Sequence, residues 1–240
     1  MANLKEMYIK IFNKYGSNKL LASIIYAYSL VDEIDLKLSN ISYIICGNNY
    51  EFNNVIGLSI IFSILSINIL YDLPHMLNKS HRNGKLTLDN VFGETISQLA
   101  SFCLFLESTN IILNSKLNNK QKVKIIDMIR FETPQNDYLT NNLNLLDKEK
   151  KTILVTDYEY KIRQLICNSI KSIFILNNIT CQKDIINEFS NIIVSQYFIK
   201  KTNKLDDIKI HYIKNKKIIK NLIKENERLT FMFDILDLFS

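Results

Sequence analysis

The stretch from Val55 to Leu70 contains no charged side chain. A segment that apolar must leave water, either inside a protein core or across a bilayer. It falls a little short of a full membrane span, and it includes Ser59, Ser63, Ser66 and Asn68. The three serines are spaced i, i+4 and i+7, which places them along one side of a helix. The pattern predicts a helix buried at the centre of a bundle, with a membrane span as the competing reading.

Few residues interrupt the rest of the chain. Five Gly and two Pro are spread over 240 residues, and hydrophobic side chains make up 47%. The chain can therefore build a full core from long helices. Apolar spacing predicts helices over 4–14, 18–38, 52–70, 90–114, 120–130, 158–177, 181–199 and 206–237, and strand signals are weak throughout. Breaks are expected at Tyr15-Gly16-Ser17, at Gly47-Asn48-Asn49, from Asn78 to Lys85, and from Glu132 to Asp137, where Pro134 stops a helix. Asn141 to Lys151 reads as a further loop. With no repeat and no linker, residues 1–240 read as a single all-α domain, a bundle of mostly antiparallel helices.

Composition limits what else can be inferred. Ile, Asn and Lys number 39, 29 and 26, a bias that points to AT-rich coding and to an organelle, endosymbiont or parasite genome. Asn-rich stretches therefore need not be loops, and lysines need not mark ligands. The net charge is +6, and its densest run, Lys214 to Lys224, holds five Lys. No stacking aromatics are interleaved with them, so a solvated face is expected and nucleic-acid binding is not. Cys46, Cys103, Cys167 and Cys181 form no CxxC pair, and the three His do not cluster, so no zinc site is expected. Buried thiols in a reducing, intracellular compartment follow, and the amino terminus shows no signal-peptide pattern.

The segment from Tyr71 to Glu94 reads YDLPHMLNKSHRNGKLTLDNVFGE. It resembles the trans-isoprenyl (polyprenyl) diphosphate synthases, whose first aspartate-rich motif is followed by Arg-Arg-Gly-Lys-Pro-Thr and by a helix opening on Phe-Gly-Glu. Asp72-Leu73-Pro74 continues the first motif. Arg82, Gly84, Lys85 and Thr87 fall at the family spacing, as do Val91-Phe92-Gly93-Glu94. Weaker likenesses flank this block. Gly16 to Ala22 keeps the leading glycine and Leu20 of a basic element, with Lys19 in place of an arginine. Asn144-Leu145-Leu146-Asp147 is similar to a Gln-x-x-Asp element. Lys161 stands for the lysine of a Lys-Thr pair, and Phe233 to Asp237 is similar to the second aspartate-rich motif.

That resemblance implies an isoprenoid-synthase bundle in which two acidic motifs hold magnesium around the diphosphate of an allylic substrate. Asp72, Asp234 and Asp237 would be the metal ligands, and Lys19, Arg82 and Lys85 would bind phosphate. Lys161 would be catalytic, while Ser66 and Ile67 would line the floor under the growing chain. The leading carboxylates are missing, however. Tyr71, Leu77 and Phe233 stand where aspartates belong, and Asn83 replaces a phosphate-binding arginine. Magnesium is thus the family's cofactor, with weak binding expected here. The expectation is a catalytically weak or inactive subunit that forms a homo- or heterodimer with an active prenyl synthase. An active prenyltransferase binding an allylic diphosphate is one alternative. A helical interaction protein, or a membrane-associated one, is the other.

Overall fold

The computed structural model describes residues 4–13, 18–46, 50–129, 147–176, 183–201, 205–223 and 230–238. They form eleven helices and one short hairpin. In chain order these are α1 (Leu4–Asn13), α2 (Lys19–Tyr28), α3 (Glu33–Cys46), α4 (Tyr50–Asp72), β1 (His81–Arg82), β2 (Lys85–Leu86), α5 (Leu88–Phe92) and α6 (Glu94–Leu113). There follow α7 (Asn119–Ile129), α8 (Asp147–Leu176), α9 (Lys183–Lys201), α10 (Leu205–Ile223) and α11 (Phe231–Leu238). The fold is all-α, as the apolar spacing predicts.

Helix α4 is the axis of the molecule. Every residue from Ile56 to Ile69 is buried. Because the helix is apolar all round, it serves two cores at once. Ile60, Ile64, Ile67 and Tyr71 face a core shared with α3, α8, α9 and α11. Leu58, Ile61, Phe62 and Leu65 face a second core shared with α1, α2 and α6. Each such Ile or Leu contributes roughly 1.5–3 kcal/mol on burial, which is why the uncharged run is the organising helix.

Its most extensive partner is α6. The serine stripe faces that helix: Ser59 Oγ donates to Ser108 O at 2.7 Å, and Ser101 Oγ donates to Ser66 O at 2.8 Å. Small residues let the two backbones approach; the hydroxyls of Ser59, Ser66 and Ser101 find partners across the contact, while that of Ser63 is buried without one. Gly57 serves the neighbouring α3 in the same way, since a Cβ there would lie 3.2 Å from Ser39 O.

Several boundaries differ from the sequence expectation. The span 18–38 is two helices, because Asp32 caps a new one: its Oδ1 accepts from Asp35 N at 2.8 Å. Gly93, at φ 87°, divides 90–114 into α5 and α6. Helix α8 begins at Asp147, inside the expected loop, and the described residues of 206–237 include two helices, α10 and α11. The break at Asn78 to Lys85 is present as the hairpin. Those at 15–17, 47–49 and 132–137, with Pro134, lie outside the described residues.

Candidate functional site

The Tyr71–Glu94 block is a cap folded back over the end of α4. Lys79 N donates to Asp72 O, Leu77 N to Tyr71 O and Asn78 N to Leu73 O, which satisfies the last carbonyls of the helix. Asn78 takes a positive φ of 48° to make this return. The chain then enters β1–β2 through Asn83 and Gly84, both at positive φ (50° and 76°), as a two-residue type I′ turn requires. Thr87 Oγ1 closes the loop by donating to Lys79 O at 2.9 Å, and His75 Nδ1 meets Glu94 Oε1 at 2.7 Å.

The hairpin is strapped to the α2–α3 turn. Asn83 Nδ2 donates to Leu30 O at 2.6 Å, Lys85 Nζ to Ser29 O at 2.9 Å and the Tyr26 hydroxyl to Leu86 O at 2.9 Å. Asn83, which costs the site a guanidinium, therefore has two structural tasks: it forms the turn and anchors it. The sequence carried a signal for this, because Asn-Gly is the dipeptide that type I′ turns favour.

Arg82 is aimed back into the protein. Its Nε lies 2.6 Å from Asp72 Oδ2 and its Nη2 lies 2.6 Å from Asp72 Oδ1. Both side chains are buried. Burial alone would lower the arginine pKa, but the hydrogen bonds to Asp72 outweigh it and hold the guanidinium firmly charged. Arg82 also reaches the Tyr158 hydroxyl at 3.4 Å and lies over its ring at 5.8 Å. Tyr158 in turn donates to Asn68 Oδ1 at 2.9 Å.

Beside this pair stands a second one. The Tyr71 hydroxyl donates to Asp157 of α8 and accepts from Lys161 Nζ at 2.9 Å, while Lys161 lies 3.1 Å from Asp157 Oδ2. Burial and the Asp157 carboxylate push the Tyr71 pKa upward, so the phenol stays neutral. Asp72, Asp157, Arg82 and Lys161 thus cancel one another's charge. Neither Asp157 nor Tyr158 stands in a motif that marks it. Only the side of α8 that they share with Lys161, one turn away, could have pointed to them.

On α9, burial and the nearby Asp35 carboxylate push the Tyr197 pKa upward. The Tyr197 hydroxyl donates to the fully buried Asp35 at 2.8 Å. Lys201 pairs with Asp32 and lies 3.5 Å from Asp35. Burial raises the Asp35 pKa to about 6, helped by Asp32 and opposed by Lys201 and Tyr197.

The remaining expected site residues lie on α2, α4 and α11. Lys19 is exposed at the start of α2, and Asp234 is exposed on α11. Asp237, also exposed, accepts from the Tyr212 hydroxyl. Helix α11 buries Met232, Ile235 and Leu236 instead. Tyr71 and Leu77, which replace first-motif aspartates, belong to the α3–α8–α9 core, and Phe233 packs on it. Ser66 and Ile67 are buried, with Ser66 committed to Ser101.

A divalent cation needs several unshared carboxylate oxygens. Both oxygens of Asp72 are held by Arg82, and among the described residues no three His, Cys, Asp or Glu side chains gather as a metal site. The arrangement does not fit magnesium. Cys103 and Cys167 are free and half-buried.

The all-α bundle is of the isoprenoid-synthase class of fold. No protein-family model matches the chain. It is 31% identical over 111 residues to a farnesyl diphosphate synthase of Micrococcus luteus, covering 45% of this chain and 38% of that one. It is 28% identical over 183 residues to a farnesyl diphosphate synthase of Buchnera aphidicola subsp. Acyrthosiphon pisum (strain APS), covering 73% and 59%. The matches thus span less than two thirds of either relative. Among solved structures, a geranyltransferase from Legionella pneumophila superimposes with TM-score 0.72 at 14% identity, covering 98% of this chain and 92% of that one. A geranyltransferase from Helicobacter pylori gives 0.70 at 16%, with 99% and 97% covered. The Helicobacter pylori geranyltransferase complexed with magnesium and isoprenyl diphosphate gives 0.60 at 14%, with 99% and 94% covered. The chain is thus similar in sequence to farnesyl diphosphate synthases and shares the all-α fold of the isoprenoid synthases.

Proposed function

We propose that this prenyl diphosphate synthase-like chain is a catalytically weak or inactive subunit that works beside an active prenyltransferase. The observation that carries this reading is the Asp72–Arg82 pair. By resemblance one residue stands in the family's metal-binding element and the other in its phosphate-binding element, and here they bind each other through two parallel hydrogen bonds. A diphosphate would have to break a buried bidentate ion pair before it could bind Arg82, and such pairs are costly to open. Lys161 is engaged in the same way by Asp157 and Tyr71.

Helix α6 supports the subunit role. Leu99, Phe102, Leu106 and Leu113 are exposed along it. Leu99, Leu106 and Leu113 are spaced by seven, with Phe102 between the first two, which is the seam one helix offers another. The helix has no Lys or Arg to keep such a seam in water. A homodimer or a heterodimer with an active synthase would cover it.

The test is affinity purification from the native source, followed by a transferase assay with isopentenyl diphosphate and an allylic diphosphate. The chain alone should be nearly inert, and the complex active. Efficient turnover by the isolated chain would instead make it a prenyltransferase working with a reduced metal set.

A further inference from the structure

We infer that the outer face of α10 docks on an anionic lipid bilayer. Ile210 and Ile213 are 65% and 69% exposed, more than any other large apolar side chain among the described residues. They do not stand alone. At 100° per residue, Ile210, Ile213, Lys214, Lys217 and Lys220 fall within an arc of about 120°. The three lysines are exposed, and Lys216 flanks the arc. The opposite side of the helix is the packed one, with Asn215 and Ile219 buried.

Two isoleucines set among lysines form a short wedge in a positive field. A bilayer with anionic headgroups matches both parts, taking the branched side chains below the headgroups and the ammonium groups at their level. By helical register Asp206, four residues before Ile210, falls on the same side, so three lysines stand there against one carboxylate. The overall charge of +6 acts in the same direction. The contrast with α6 identifies the partner: the α6 seam has no cation and suits another protein, whereas the α10 face combines its apolar residues with charge. Nucleic acid fits poorly, because base stacking needs aromatics and the nearest one, Tyr212, is half-buried and bonded to Asp237.

Co-sedimentation of the full chain with phosphatidylcholine vesicles, with and without phosphatidylserine, tests the inference. Two variants accompany the wild type: Ile210→Ser with Ile213→Ser, and Lys214→Gln with Lys217→Gln and Lys220→Gln. Exposed substitutions of this kind leave folding intact, which far-ultraviolet circular dichroism would verify. The wild type should sediment only with the phosphatidylserine vesicles and be released by salt. The lysine variant should partition about a hundredfold less, at roughly fivefold per lysine. The isoleucine variant should also lose binding.

Three outcomes overturn the inference: wild-type protein left in the supernatant, equal binding to both vesicle types, or either variant binding like the wild type. A fall in oligomeric mass in the isoleucine variant, with vesicle binding unchanged, would assign the face to a protein partner. None of these results bears on the Asp72–Arg82 pair, so this inference and the proposed function fail separately.

Discussion

Arg82 and Asp72 meet through two parallel hydrogen bonds of 2.6 Å each, and both side chains are buried. The pair joins the hairpin to the end of α4 and fixes the cap over the site. Removing one member strands the other charge away from water. Arg82→Ala or Asp72→Ala should therefore cost about 3–5 kcal/mol, whereas replacing both with apolar residues of similar size should cost far less. A double-mutant cycle by denaturant unfolding measures the coupling. Additive single losses would mean that the pair is not formed in solution.

The Tyr71 hydroxyl has two charged partners, Asp157 and Lys161. Tyr71→Phe removes a charge-assisted hydrogen bond in a buried setting and should destabilise by about 1.5–3 kcal/mol. A loss below a few tenths would show that water replaces the hydroxyl without cost.

Asp35 should give the protein a pH-dependent stability. Its folded pKa of about 6 lies above the unfolded value near 3.9, so the folded state holds the proton more tightly. Stability from this group is full below pH ~4, falls as pH rises to ~6, and is constant beyond, for a total on the order of 3 kcal/mol at most. The depressed Asp32 pKa acts in the opposite sense, and only at lower pH. Asp35→Asn should flatten the profile between pH 4 and 6. Parallel unfolding profiles for wild type and variant would contradict the assignment.

Ser66 meets Ser101 where α4 and α6 approach. Ser66→Phe should overpack this contact and cost about 1–3 kcal/mol in thermal or denaturant unfolding. A neutral effect would reveal open space beside Ser66, of the kind a deep isoprenoid tunnel would leave.

How much of this could be read from the chain differs from one element to another. Helix α4 was legible because an uncharged apolar run has few alternatives to burial. The order of the cap, from Asp72 through Arg82 to Glu94, was also legible, because its residues are contiguous. The break before α3 was not, since Asp32 is an unremarkable acid until its carboxylate caps Asp35. The Asp72–Arg82 pairing was not legible, because the resemblance assigns Asp72 to a metal and Arg82 to a phosphate rather than to each other. The tie from Tyr71 to Asp157 spans 86 residues, and no local periodicity encodes a contact that tertiary packing alone creates.

On the proposed function, the charges that would meet a diphosphate are already paired within the protein, Asp72 with Arg82 and Asp157 with Lys161. Isothermal titration of the purified chain with an allylic diphosphate, with and without magnesium, tests it most directly. Weak binding that magnesium does not strengthen is the predicted result, because both Asp72 oxygens and the Arg82 fork are already bound to each other. Tight, magnesium-dependent binding would contradict it.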